Sequence, residues 1–203
     1  LALKLRSRRQ LLLLRAFRRH RQLAPLVDRT AGIAPDDLLC FLCLRNEAQR
    51  LPHFLAHHRA LGVRHFLAVD NASSDGSDRL LTDQPDVSLW TTPNSYHSSR
   101  YGTDWLNGLL RRHARGHWAL VVDLDEFFVF PFCDTRPIRA LTDWLDTSGT
   151  RSFPAMMLDM YPKGPIGAQP YVEGQDPFEI ANGFDSGNYM ISRNYFYGNL
   201  WIQ

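Results

Sequence analysis

The sequence predicts an α/β chain, a mainly parallel sheet flanked by helices, followed by an irregular, aromatic-rich C-terminal region. Short apolar runs alternate with helical patterns from residue 38 to residue 122, which is the signature of strand-helix-strand units. The polar and acidic groups that close these runs fall at their carboxyl ends, on one edge of such a sheet. With 44% hydrophobic and 12% aromatic residues, the 203-residue chain has enough apolar material for one sizeable core, which excludes a disordered chain.

Residues 3 to 22 have helix-forming composition, with Leu11, Leu13, Leu14 and Phe17 set against Arg8, Arg15, Arg18 and Arg19, although Leu12 spoils the division. Pro25, Gly32 and Pro35 mark the next stretch as a linker, so residues 1–35 read as a basic helix and linker and 36–203 as the folded domain. Leu38 to Leu44 is the first predicted strand. Leu51, Phe54, Leu55, His58 and Leu61 recur at helical spacing, Gly62 stands where a helix C-cap is wanted, and His65 to Val69 is a second strand. Asp75-Gly76-Ser77 before Leu80 and Leu81 starts another helix, and Val87 to Thr91 is a third strand. Trp105, Leu106, Leu109 and Leu110 predict a helix, Trp118 to Val122 a fourth strand, and residues 137 to 147 a last helix. Residues 151 to 203 then hold five Pro, six Gly and ten aromatics, a composition suited to building a site rather than regular elements.

Charge is unevenly spread. Residues 1 to 22 carry +8 with no acid, and the remainder carries −6. An acidic globule excludes a nucleic-acid-binding body, whose basic footprint belongs on the folded domain. The basic, partly apolar arm suits adsorption to an anionic membrane surface or packing against the acidic globule, and the sequence leaves both open. No apolar run near the N-terminus approaches the ~20 residues of a membrane span, nor the roughly 7 to 15 of a secretory leader, so the expected placement is cytoplasmic, peripheral on the inner face of the membrane. Three cysteines, Cys40, Cys43 and Cys133, make no disulfide framework. The chain starts with Leu and stops in an apolar, aromatic stretch, which suggests a fragment at both ends.

The candidate site follows from the strand ends. Arg45-Asn46-Glu47 closes the first strand, Asp70-Asn71-Ala72-Ser73-Ser74-Asp75 the second, and Asp123-Leu124-Asp125-Glu126 the fourth. Unpaired carboxylates directly after an apolar strand are costly to desolvate, and a hard divalent cation offsets that cost. Asp123 and Asp125, two residues apart, can point the same way. Arg100, between the third strand and the next helix, can reach a phosphate or stand as a surface arginine. Asp75 suits an N-cap as well as a ligand contact, and Asn71 and Ser73 suit a turn. Cys40-x-x-Cys43 lies inside a strand pattern with no second ligand pair and reads as core rather than zinc. His53, His57 and His58 can be a metal face or an ordinary helix face. Tyr161, Tyr171, Tyr189, Tyr195, Tyr197 and Trp201 can stack on sugar rings or simply fill a core.

The ordered set, Arg45-Asn46-Glu47, Leu55-Ala56-His57-His58, Val69-Asp70-Asn71-Ala72-Ser73-Ser74-Asp75-Gly76 and Val122-Asp123-Leu124-Asp125-Glu126-Phe127, resembles the family 2-like glycosyltransferases over roughly residues 38 to 130. The resemblance implies a GT-A-like, Rossmann-like fold and transfer of a sugar from a nucleotide-sugar donor, UDP-linked, to a glycan or lipid-linked acceptor with inversion. It implies that Glu47 and Asp70 lie against the nucleoside, with Arg45, Asn46, Asn71, Arg100 and Asp123 in the donor site, and that Asp123 and Asp125 hold Mn²⁺ or Mg²⁺ on the diphosphate. The family's catalytic base follows the metal motif. Asp159, Glu173, Asp176, Glu179 and Asp185 are the acids that remain, and none stands in a motif. Two other readings compete: a haloacid-dehalogenase-type phosphatase, whose D-x-D also closes an apolar strand but on a first strand rather than a fourth, and a membrane-associated nucleotide-sugar-binding module without catalysis.

Overall fold

The computed structural model describes residues 2–165, 167–187, 191–193 and 200–202, and the side chains of residues 6–165 and 167–187. The elements are α1 (Ala2–His20), β1 (Ala24–Val27), β2 (Leu38–Leu44), α2 (Leu51–Leu61), β3 (Val63–Asp70), α3 (Ser77–Thr82), β4 (Val87–Thr91), α4 (Thr103–His113), β5 (Ala119–Val121), α5 (Ile138–Thr147), the single turn α6 (Pro177–Ile180), and a separate antiparallel pair, β6 (Ile191–Arg193) with β7 (Leu200–Ile202).

Five strands form one sheet in the order β1-β4-β3-β2-β5. The four from β2 to β5 run parallel, and β1 pairs antiparallel with β4 at the edge. β2 is buried along its whole length, as a central strand covered on both faces must be. Its alternate residues divide the core. Cys40, Leu42 and Leu44 pack with Phe54, Leu55 and Leu61 of α2, Leu81 of α3 and Ile138 of α5 on one face. Leu39, Phe41 and Cys43 pack with Trp105, Leu106 and Leu109 of α4 on the other. Cys40 and Cys43 therefore face opposite layers and cannot share a zinc ion.

The predicted helices and strands are found within a few residues of their expected bounds. α2 buries Leu51, Phe54, Leu55, His58 and Leu61, the five positions of the helical pattern, and Gly62 closes it in the left-handed conformation, φ +114°. The stretch read as a linker contains a strand: Ala24, Pro25 and Val27 pair with Thr91, Trp90 and Leu89. Pro25 is tolerated because an edge strand needs no donor on its outer side. α1 packs along α4. Ala16 is buried there, and the Trp105 indole N–H donates to Gln22 Oε1 at 3.0 Å. Among the described residues no helix is long and apolar enough to cross a membrane.

Candidate functional site

Because β3 and β4 lie on one side of β2 and β5 on the other, the chain changes winding direction between β2 and β5. Open parallel sheets hold ligands in the crevice beyond the carboxyl ends at such a switch point. The loop after β2, with Arg45, Asn46 and Glu47, and the loop after β5, with Asp123, Asp125 and Glu126, flank it here. The register sets Asp70 beside Leu44 on one side and Thr91 on the other, which brings the loops after β3 and β4 to the same edge.

These loops are tied to one another by side chains. Asn46 N–H donates to Ser73 Oγ at 2.9 Å, and Asn46 Oδ1 accepts from Ser74 N–H at 2.8 Å. The N-cap position of α3 is taken by Gly76, and Asp75 stands one residue before it. It accepts from Ser77 Oγ at 2.6 Å, Ser77 N–H at 3.0 Å and Ala48 N–H at 2.9 Å, bridging the loops after β2 and β3. Burial pushes its carboxyl up, but these donors outweigh burial and hold it below the usual range. Asp70 is almost fully buried, its carboxylate accepting from Ser73 N–H and, at 3.4 Å, Thr91 Oγ1. Asn71 donates to the carbonyls of Thr92 and Asn94. Both residues serve the turn. Glu47 accepts from Arg50 at 2.8 Å and its amide donates to Ser77 Oγ, while Arg45 is exposed and has no partner among the described residues. Four of the five described non-glycine residues with positive φ, Asn46, Ala72, Arg100 and Tyr101, lie in these loops. Each costs on the order of 1 kcal/mol, a strain that the surrounding bonds hold at this edge.

Asp123 and Asp125 are exposed on either side of buried Leu124, in a turn just after β5 that the Glu126 N–H closes on Asp123 O at 3.1 Å. Glu126 turns back to accept from Asp123 N–H at 3.0 Å. Partial burial, then the Glu126 and Asp125 charges, push the Asp123 carboxyl above its usual range. Among the described residues no group of three His, Cys, Asp or Glu side chains is arranged to hold a metal alone. Two carboxylates crowded by a third do fit a Mg²⁺ or Mn²⁺ ion that takes its other oxygens from a diphosphate and water.

Tyr96, which carries no motif, also belongs to this edge. Burial, then the nearby Cys43 thiol and the carboxylates of Asp123 and Asp125, raise its phenol above the ordinary value. Gly102 makes that approach possible, since a Cβ there would sit 2.9 Å from Cys43 Sγ and 3.1 Å from the Tyr96 ring. Arg100 lies in the same loop. Its guanidinium stands 3.5 Å from Asp104, a fully buried carboxylate that also receives two bonds from Arg15 of α1.

Behind the edge, Phe127 packs against His53, Phe54, His57 and His58 of α2 and against Phe178 of α6. The histidines form a helix face, not a metal site. His58 Nδ1–H donates to Phe54 O at 2.9 Å, and burial lowers its pKa to about 4. His57 Nε2 meets Phe128 O at 3.3 Å, and His53 stands 3.7 Å from Asp176, an acid that caps α6. Gln49 donates to Tyr171 O, so residues 171 to 180 lie against the start of α2. Of the other late acids, Asp185 accepts from the Tyr161 hydroxyl at 2.8 Å and Glu179 from the Gln175 side chain at 3.1 Å. Tyr189, Tyr195 and Tyr197 lie outside the described residues, as does the Trp201 side chain.

No protein-family model matches the chain, and no solved structure does. Two curated proteins do. One, from Oryza sativa subsp. japonica, is 28% identical over 96 residues, 43% of this chain and 15% of the relative. The other, from Arabidopsis thaliana, is 27% identical over 112 residues, 51% of this chain and 18% of the relative. Both are named glycosyltransferase family 92 proteins, so the chain spans under a fifth of the relatives it matches, and the family they carry is 92 rather than 2. The chain is a distant relative of proteins named as glycosyltransferases.

Proposed function

We propose that the chain is the donor-binding part of a GT-A-like glycosyltransferase that moves a sugar from a nucleoside diphosphate, UDP-linked, to a glycan or lipid-linked acceptor with inversion. The observation that carries this reading is the pair Asp123 and Asp125, set outward at the switch-point crevice with Asp123 raised by its neighbours. The names of the two relatives favour it over a phosphatase.

When bound, Mn²⁺ or Mg²⁺ between these two carboxylates would neutralise charge that develops on the departing diphosphate. Arg45, exposed and without a partner among the described residues, supplies a positive charge to the phosphates, and the Tyr96 hydroxyl is a further donor on the same side. Asp70 and Asn71 act on the nucleoside through the turn they hold, and Glu47 through its pairing with Arg50. Inversion needs a base to take the proton from the attacking hydroxyl, and no described residue stands out for it. The free cysteines suit a reducing, cytoplasmic setting, and an anionic membrane surface is where a lipid-linked acceptor would be met.

Calorimetry tests the reading. UDP should bind with an affinity that rises at least about tenfold with Mn²⁺, and Asp125→Ala should abolish that gain while its folding is unchanged. Unchanged Mn²⁺-dependent affinity in the variant would remove these carboxylates from the donor site. Phosphomonoester hydrolysis would favour the phosphatase, and donor binding without hydrolysis or transfer the binding module.

A further inference from the structure

α1 places its packed face and its outer face differently from either simple expectation for a basic arm. Its contacts with the globule come from Arg15, Ala16, His20 and the following Gln22. Leu11, Leu13, Leu14 and Phe17 are left exposed at 62, 38, 45 and 55%. Arg6, Arg8, Arg9, Arg18 and Arg21 are exposed beside them, and from residue 6 to residue 21 there is no acid. Packing and an apolar, cationic outer surface therefore coexist on one helix.

The direction of α1 matters more. Arg15 is level with Asp104, at the start of α4, and donates to Ser98 O in the loop after β4. His20 is level with Gly108 and Arg112, further along α4. The two helices thus run the same way. α4 begins beside the carboxyl edge of the sheet, where Gly102 meets Cys43, and residues 6 to 14 of α1 extend past the start of α4 by ~13 Å, at 1.5 Å per residue. The loop bonded to Arg15 carries Tyr101, 63% exposed, and Tyr96. The apolar and cationic end of α1 and these aromatics stand on the side of the molecule where the candidate site opens.

We infer that the outer face of α1 docks on an anionic lipid surface and that docking turns the site edge toward the bilayer. The occupant follows from charge and shape. Arginines interspersed with leucines and a phenylalanine on one helix match a surface that offers negative headgroups above an apolar interior. Aromatic side chains such as Tyr101 settle at the headgroup level. The docking does not depend on the transferase reading, and its test uses no donor; only the consequence, an acceptor met at the membrane, rests on that reading.

The full chain should sediment with phosphatidylcholine–phosphatidylglycerol vesicles and not with phosphatidylcholine alone. Leu11→Gln with Leu14→Gln, which leaves the packed face intact, should weaken that binding at least about tenfold with an unchanged circular-dichroism melt. In a Cys133→Ser background, an environment-sensitive dye at Tyr101→Cys should shift to the blue on vesicles, and the same dye at Asp36→Cys, by the opposite edge of the sheet, should not. Equal sedimentation of the glutamine variant overturns the docking face, and a larger shift at position 36 overturns the orientation. A dimer in solution that the same two substitutions dissociate, with no vesicle binding, would assign the face to a second copy instead.

Discussion

At the scale of the residue, Asp123 concentrates the tension between stability and chemistry. Its carboxyl is raised by partial burial and by Glu126 and Asp125, so the folded protein binds its proton more tightly than the unfolded chain does. The charged form is therefore a cost that is present above the folded pKa and fades as the pH falls through it. Screening at an exposed site keeps this to about 0.5 kcal/mol. Asp123→Asn should raise the thermal midpoint by roughly 1–2 °C at pH 7, and the gain should vanish below pH ~4. Differential scanning calorimetry at the two pH values checks it. A lower midpoint at neutral pH would mean that the Asp123 charge is already compensated in the folded chain.

At the scale of the element, the α1–α4 contact sets helix propensity against packing. An exposed Gly inside a helix gains up to ~1 kcal/mol on replacement by Ala. At Gly108 a Cβ would lie 2.9 Å from His20 Cβ and 3.2 Å from its Nδ1, and overpacking of this kind costs about 1–3 kcal/mol. The second effect wins. Gly108→Ala should lower stability in a denaturant titration, and Gly108→Ala with His20→Ala should recover part of the loss; a more stable single variant would mean that α1 does not press on α4. The same comparison explains what the sequence discloses. β2, α2, β3 and β4 are legible because long apolar runs and a five-residue helical pattern have one reading each. β1 is not, since Ala-Pro-Leu-Val is four residues long and takes its pairing from Trp90 and Thr91, sixty-odd positions away. The strand-end acids are legible as a set, yet their division of labour is not. Asp70 and Asn71 turn out to spend their polar atoms on the turn, Arg100 is drawn to the buried Asp104, and Tyr96 enters through a close approach that only Gly102 permits.

At the scale of the whole molecule, stability is unevenly distributed between the sheet and the C-terminal region. Residues 38 to 147 share a core on both faces of the sheet. Residues 151 to 159 are all exposed, with Met157 at 71%, and residues 151 to 160 make no hydrogen bond to another described residue. Within this region Tyr161 bridges to Gly183, and the chain rejoins the body through Gln49 on Tyr171, His53 near Asp176 and Phe127 on Phe178. Opening such a segment requires far less than opening a parallel sheet, so within residues 24 to 187 brief trypsin treatment should cut first after Arg151 or Lys163. Arg59 and Arg64, in and beside the packed layers, should survive that treatment. Mass spectrometry of the first fragments decides, and an early cut between residues 38 and 147 would contradict this distribution. Function should divide along the same line. Every residue proposed for the donor lies before the cut, so the nicked protein should keep its Mn²⁺-dependent affinity for UDP within about twofold, and a larger loss would place part of the donor site beyond residue 150.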